Sequence, residues 1–105
     1  MAGQVERIAL LQPAAESPDT AFEPTAQYLL SVICTNVGAT VAEATISVTD
    51  GTDTAYIIYN LNIPVKDTYE TFRFAMAPAD ELIVESNTGD VTFLVQGIDQ
   101  SPVGA

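Results

Sequence analysis

From Gln27 to Ile98 the sequence is a succession of short apolar/polar alternations separated by turn signals, and this period of two constrains the fold more than any other feature. Glu43-Ala44-Thr45-Ile46-Ser47-Val48-Thr49 is the clearest case, because extended backbone places Ala44, Ile46 and Val48 on one face and the polar groups on the other. The pattern is that of half-buried sheet. No window shows sustained helical spacing with caps, so helix content is expected to be close to nil.

The strands can be followed along the chain. Within Gln27 to Thr35, Tyr28, Leu30, Val32 and Cys34 share one face while Leu29 and Ile33 fall on the other, as expected of a central strand or one whose outer face is covered. Asn36 to Ala39 supplies a turn before the strand from Val41 to Thr49, and Asp50-Gly51 ends it. Ala55 to Tyr59 follows, then a brief extended piece at Leu61 and Ile63, closed by Pro64 at what reads as an edge or a crossing between sheets. Thr71 to Met76 predicts Phe72, Phe74 and Met76 inward, with Thr71 and Arg73 outward. Leu82 and Val84 continue the pattern, Asn87 to Asp90 turns the chain, and Val91, Phe93 and Val95 make the last inward face before Gly97.

Residues 1–24 differ, with Pro13, Pro18 and Pro24 falling close together, and they read as an extended arm whose start, Val5 to Leu11, has strand character. The expected organisation is an N-terminal arm over 1–24, a β-sandwich over 25–99 and a C-terminal tail over 100–105. The fold class is all-β: an antiparallel, jelly-roll-like sandwich of about eight strands counting the arm. At 105 residues the chain is long enough for one domain with one core.

Charge narrows the partners. Fourteen Asp and Glu against Arg7, Lys66 and Arg73 give a net charge of −11, which opposes the phosphate contacts of nucleic-acid binding and attraction to an anionic membrane. A basic protein surface or a divalent cation is electrostatically favoured. The N-terminus fits neither a signal peptide nor a membrane span, so synthesis in a cytoplasm as a soluble chain is expected.

The chemistry of catalysis is sparse. With no His in the chain, Ser-His-Asp triads and His-containing zinc sites are excluded, and Cys34, the only cysteine, reads as a small buried hydrophobe. Among fourteen acids some pair lies within reach by chance, which is no signal of glycoside hydrolysis, and Trp, the usual sugar-stacking residue, is missing. Asp50-Gly51-Thr52-Asp53 offers oxygen ligands to calcium, but Leu61 stands where the twelve-residue calcium loop needs its acidic ligand; the preferred reading of Asp50 and Asp53 is a turn with solvated acids. No cofactor is expected. Gly38, Gly51, Gly89 and Gly97 sit singly, without phosphate-loop spacing, and of the four tyrosines Tyr59 and Tyr69 are expected to be exposed.

The run Tyr28-Leu29-Leu30-Ser31-Val32-Ile33-Cys34-Thr35-Asn36, followed by Gly38 and an alternating strand, resembles small β-sandwich proteins encoded among the structural genes of tailed bacteriophages. The Tyr-rich strand near 56–59, the Ile63-Pro64 segment, Asp80 to Val84 and the strand from Val91 toward Gly97 agree with the resemblance, which covers roughly residues 8–98. It implies a non-enzymatic virion component, first of all a capsid decoration or cement protein bound to the major capsid protein or other virion proteins. The alternative is a tail- or fibre-associated module recognising a glycan or receptor. A homo-oligomer, with a trimer favoured, is expected to form through Val5, Ile8, Leu10, Leu11, Leu29, Ile33, Tyr59 and Tyr69.

Overall fold

The computed structural model describes residues 4–100, and among them nine strands and no helix. The strands are β1 (Glu6–Leu11), β2 (Asp19–Phe22), β3 (Tyr28–Asn36), β4 (Ala42–Thr49), β5 (Thr54–Ile63), β6 (Thr68–Glu70), β7 (Phe74–Met76), β8 (Glu81–Ser86) and β9 (Val91–Asp99). Sheet A has the order β1-β9-β3-β6, with β7 also pairing β3, and sheet B has the order β2-β8-β4-β5. Every pairing is antiparallel. With β6 and β7 counted as one interrupted strand, this is an eight-strand jelly-roll-like order in which the first and last strands are neighbours in sheet A.

The core lies between the sheets. β3 and β9 bring Leu30, Val32, Cys34, Val91, Phe93 and Val95 from sheet A, against Ala44, Ile46, Ile58, Leu82 and Val84 from sheet B. Central strands buried on one face and half-covered on the other follow from the alternation of β3, β4, β8 and β9. Gly97 is an inward position of β9 opposite Leu30, and a Cβ there would run into the Leu30 side chain and come within 2.7 Å of the Leu29 carbonyl oxygen. Only hydrogen fits between the two backbones.

The arm expected over 1–24 is corrected. Its described residues form the edge strand of each sheet: β1 pairs with β9 from Glu6↔Gly97 to Leu11↔Phe93, and β2 pairs with β8 from Asp19↔Val84 to Phe22↔Leu82. Pro13, Pro18 and Pro24 punctuate the crossing between sheets, and Pro13 is itself fully buried. The strand character of Val5 to Leu11 is realised in β1, whereas β2 was hidden because its four residues fit between Pro18 and Pro24. Most of the expected tail, 100–105, lies outside the described residues.

The second correction concerns Thr71 to Met76. Leu30 pairs with Phe74 and Ile33 with Glu70, so four steps on the outer chain match three on β3 and one extra residue is accommodated. The Thr71 amide donates to the Val32 carbonyl at 2.9 Å, and the Val32 amide donates to the Thr71 hydroxyl oxygen at 3.0 Å. Thr71 is therefore buried and Phe72, expected inward, is 89% exposed. A bulge inverts the parity of everything on one side of it, so Phe74 and Met76 still point inward.

Candidate interaction surfaces

The outer face of sheet A is built in rows by the register of its strands. Leu10, Leu94 and Ile33 stand side by side on β1, β9 and β3, and Ile98 and Leu29 form a second apolar row beside Val5. Between them runs a polar row: Arg7 opposite Gln96, Gln96 opposite Ser31, and the bulge carrying Phe72 and Arg73 beyond. The Gln96 amide donates to the Ser31 hydroxyl at 3.1 Å, tying the centre of this row down. Leu10 is 60% exposed and Val5 57%, so the apolar rows open directly to solvent. A broad groove of about 570 Å³ runs over Leu10, Gln12, Ile33, Thr35 and Leu94.

Of the residues expected to make contacts, Val5, Leu10, Leu29 and Ile33 lie together on this face. Ile8 and Tyr69 do not: both pack against the core, as does Leu11, which also borders the groove. Ile8 occupies a register irregularity between Arg7 and Ala9, which turns its side chain off the outer face, and Leu11 pairs with Phe93 on the inward side. Tyr69 pairs with Cys34 on β3, so its ring is half-buried and not exposed as expected. Phe72 and Arg73 are also exposed at this edge, Phe72 against the expectation from regular alternation, and no local signal in the sequence marks the bulge that exposes it.

Sheet B presents a different outer face. Tyr56 and Tyr59 on the edge strand β5 are 56% and 65% exposed, and their rings meet edge to face with centroids 4.8 Å apart. Two register irregularities in β5 place both on the outside: one lies around Ile57 and one around Asn60, which adopts φ 46° and is held by reciprocal bonds to the Thr45 hydroxyl. Across β4 and β8 the same face carries Glu43, Thr45, Ser47 and Thr49 beside Glu85, Ile83 and Glu81. None of the four strands of sheet B contains Lys or Arg.

Two further expectations have a structural setting. One oxygen of the Asp50 carboxylate accepts the amides of Thr52 and Asp53, both at 2.8 Å, and these bonds hold its carboxyl below the usual carboxylate range. Asp50 therefore closes its own turn. Cys34 is fully buried, its thiol donates to the Tyr69 carbonyl at 3.5 Å, and burial pushes it up to about 11.

No protein-family model matches the sequence, and no curated protein matches it. Solved structures of similar fold include a pentameric capsid protein isolated from metagenomic phage sequences, with a TM-score of 0.53 and 18% identity over 94% of this chain and 67% of that one. A second structure described in the same words gives a TM-score of 0.47 and 22% identity, over 90% of this chain and 58% of that one. The first likeness establishes a shared fold.

Proposed function

We propose that this chain is a non-enzymatic structural protein of a bacteriophage virion, acting by packing the outer face of sheet A against other subunits. The observation that carries the proposal is that face itself: two open apolar rows flanked by Phe72, the most exposed large apolar side chain described. Rows of large apolar side chains on an outer sheet face, rimmed by polar groups, are the kind of surface that marks a protein contact. The virion setting is supported by the fold shared with the capsid protein and by the recurrence of jelly rolls in viral capsids, an argument from fold analogy. Within the virion the role is decoration or cementing of the head lattice, in contact with the major capsid protein.

The working unit is a closed homo-oligomer. Three copies is the number expected from the sequence, whereas the likeness to a pentameric protein supports five, and native mass spectrometry counts them directly. Sedimentation, together with binding to heads stripped of accessory proteins, tests the reading as a whole. An oligomer that binds stripped heads saturably is the expected result; a monomer that leaves them bare overturns it.

A second reading, a glycan- or receptor-binding module of the tail or fibre, draws on the exposed Tyr56–Tyr59 pair. It predicts a rise in melting temperature with a matching glycan, because a ligand that binds only the folded state stabilises it.

A further inference from the structure

The two outer faces of the sandwich differ in charge: that of sheet A carries two arginines with the single carboxylate of Glu70, which pairs with Ile33, whereas that of sheet B carries carboxylates alone. Arg7 and Arg73, two of the three basic residues in the chain, stand at the two ends of the polar row on sheet A. The outer face of sheet B carries Glu43, Glu81 and Glu85, and none of its strands contains a basic residue. Apolar side chains accompany the arginines, and two exposed tyrosines accompany the acids.

These faces lie on opposite sides of one molecule, so they cannot meet within a single copy. We infer that sheet A of one copy docks by its outer face on the outer face of sheet B of a second copy, a head-to-tail contact between identical chains. The inference rests on the proposed subunit-packing role and specifies its geometry. Charge complementarity selects this arrangement over the symmetric ones. Face B against face B opposes carboxylates with no cation, and face A against face A offers Glu70 alone from each copy to the two arginines of the other, whereas face B offers them three carboxylates. In the head-to-tail contact Arg7 and Arg73 meet Glu43, Glu81 or Glu85, and a guanidinium finds the faces of Tyr56 and Tyr59. Tyrosine and arginine are the residue types that carry binding energy in the centre of such contacts.

A head-to-tail contact leaves one unused face at each end of a chain of subunits, so growth continues until rotation closes a ring. The symmetric alternative stops at two. This difference makes the inference testable by mixing. Leu10→Glu disables face A and Tyr59→Glu disables face B, both at exposed positions, with circular dichroism and melting temperature confirming that each variant folds. Each variant alone is expected to be monomeric by sedimentation, and an equimolar mixture is expected to give one-to-one pairs that grow no further, since exactly one intact A–B contact remains between them. Charge reversal supplies a second arm: Arg73→Glu and Glu85→Arg each weaken association about tenfold or more, and the double variant recovers part of the loss.

If Tyr59→Glu alone still associates while Leu10→Glu does not, the contact is face A on itself; the head-to-tail inference falls and the packing role of sheet A stands. If both variants assemble like the unmodified chain, neither face is the contact, and both the inference and the sheet A reading fall. An unmodified chain that stays monomeric at every concentration removes the packing role as well.

Discussion

Asn36 is the residue on which one end of the sandwich is tied. Fully buried, its amide nitrogen donates to the carbonyls of Thr40 at 2.8 Å and Ile63 at 2.9 Å, and its side-chain oxygen accepts the Gly38 amide at 2.9 Å. One side chain thus joins the end of β3, the following turn and the end of β5. Asn36→Ala leaves these groups with no replacement in a buried setting, and is expected to cost ~3 kcal/mol or more in urea unfolding. Cys34 gives a pH signature. Its thiol has an ordinary value of 9.0 and is pushed up to about 11 in the fold, so above pH 9 the unfolded chain releases a proton that the folded chain keeps. Stability contributed by the buried thiol is therefore present below pH 9 and lost as pH rises toward 11. The midpoint gap between the unmodified chain and Cys34→Ala should narrow across that window; a constant gap would contradict the assignment. The burial of Cys34 was legible in its apolar run, whereas the tie made by Asn36 was not, because Ile63, the partner that joins β3 to the end of β5, is 27 residues away in sequence.

At the scale of elements, strand identity was more legible than strand parity. The faces of β3, β4, β8 and β9 follow the alternation of their residues directly, since each is a regular strand inside a sheet. The outer strands are where alternation misleads: the Thr71–Arg73 bulge, the irregularity at Ile8 and the two in β5 each shift the inside-outside pattern by one. Bulges concentrate there because only one neighbour constrains the ladder. A pair of substitutions makes the distinction measurable. Phe93→Ala, in the core, is expected to cost about 3–5 kcal/mol. Phe72→Ser is expected to change stability by less than about 0.5 kcal/mol, as at other surface positions, while weakening self-association in sedimentation. Gly97→Ala belongs with the core changes, since its methyl group would run into the Leu30 side chain and meet the Leu29 carbonyl oxygen at 2.7 Å. Its melting temperature should fall clearly below that of Gly38→Ala, whose closest neighbours are atoms of the Asp90 side chain.

For the whole molecule, the consequential fact is that the opening segment is part of the sandwich. Were residues 1–12 a detachable arm, removing them would spare the domain. With β1 laid along β9 and Ile8, Ala9 and Leu11 against the core, their removal bares an edge and part of the interior. A loss of ~3 kcal/mol implies a fall of roughly 15 °C in melting temperature for a domain of this size, accompanied by aggregation in the transition. A second expectation follows from the net charge of −11. Identical acidic chains repel one another at long range, yet the proposed contact is attractive at short range; moderate salt should speed assembly by screening the first, and high salt should weaken it by screening the second. A non-monotonic dependence in light scattering is the expected outcome.

The pairing Glu6↔Gly97 has a mechanical corollary. Because β1 and β9 run in opposite directions, the beginning of one and the end of the other lie at the same end of the sheet. Tension applied near residues 6 and 99 would therefore load the ladder one rung at a time, from the end where both strands emerge, instead of shearing all rungs together. Held through its ends the subunit is a zipper, which opens at low force; pressed through its faces it is a slab.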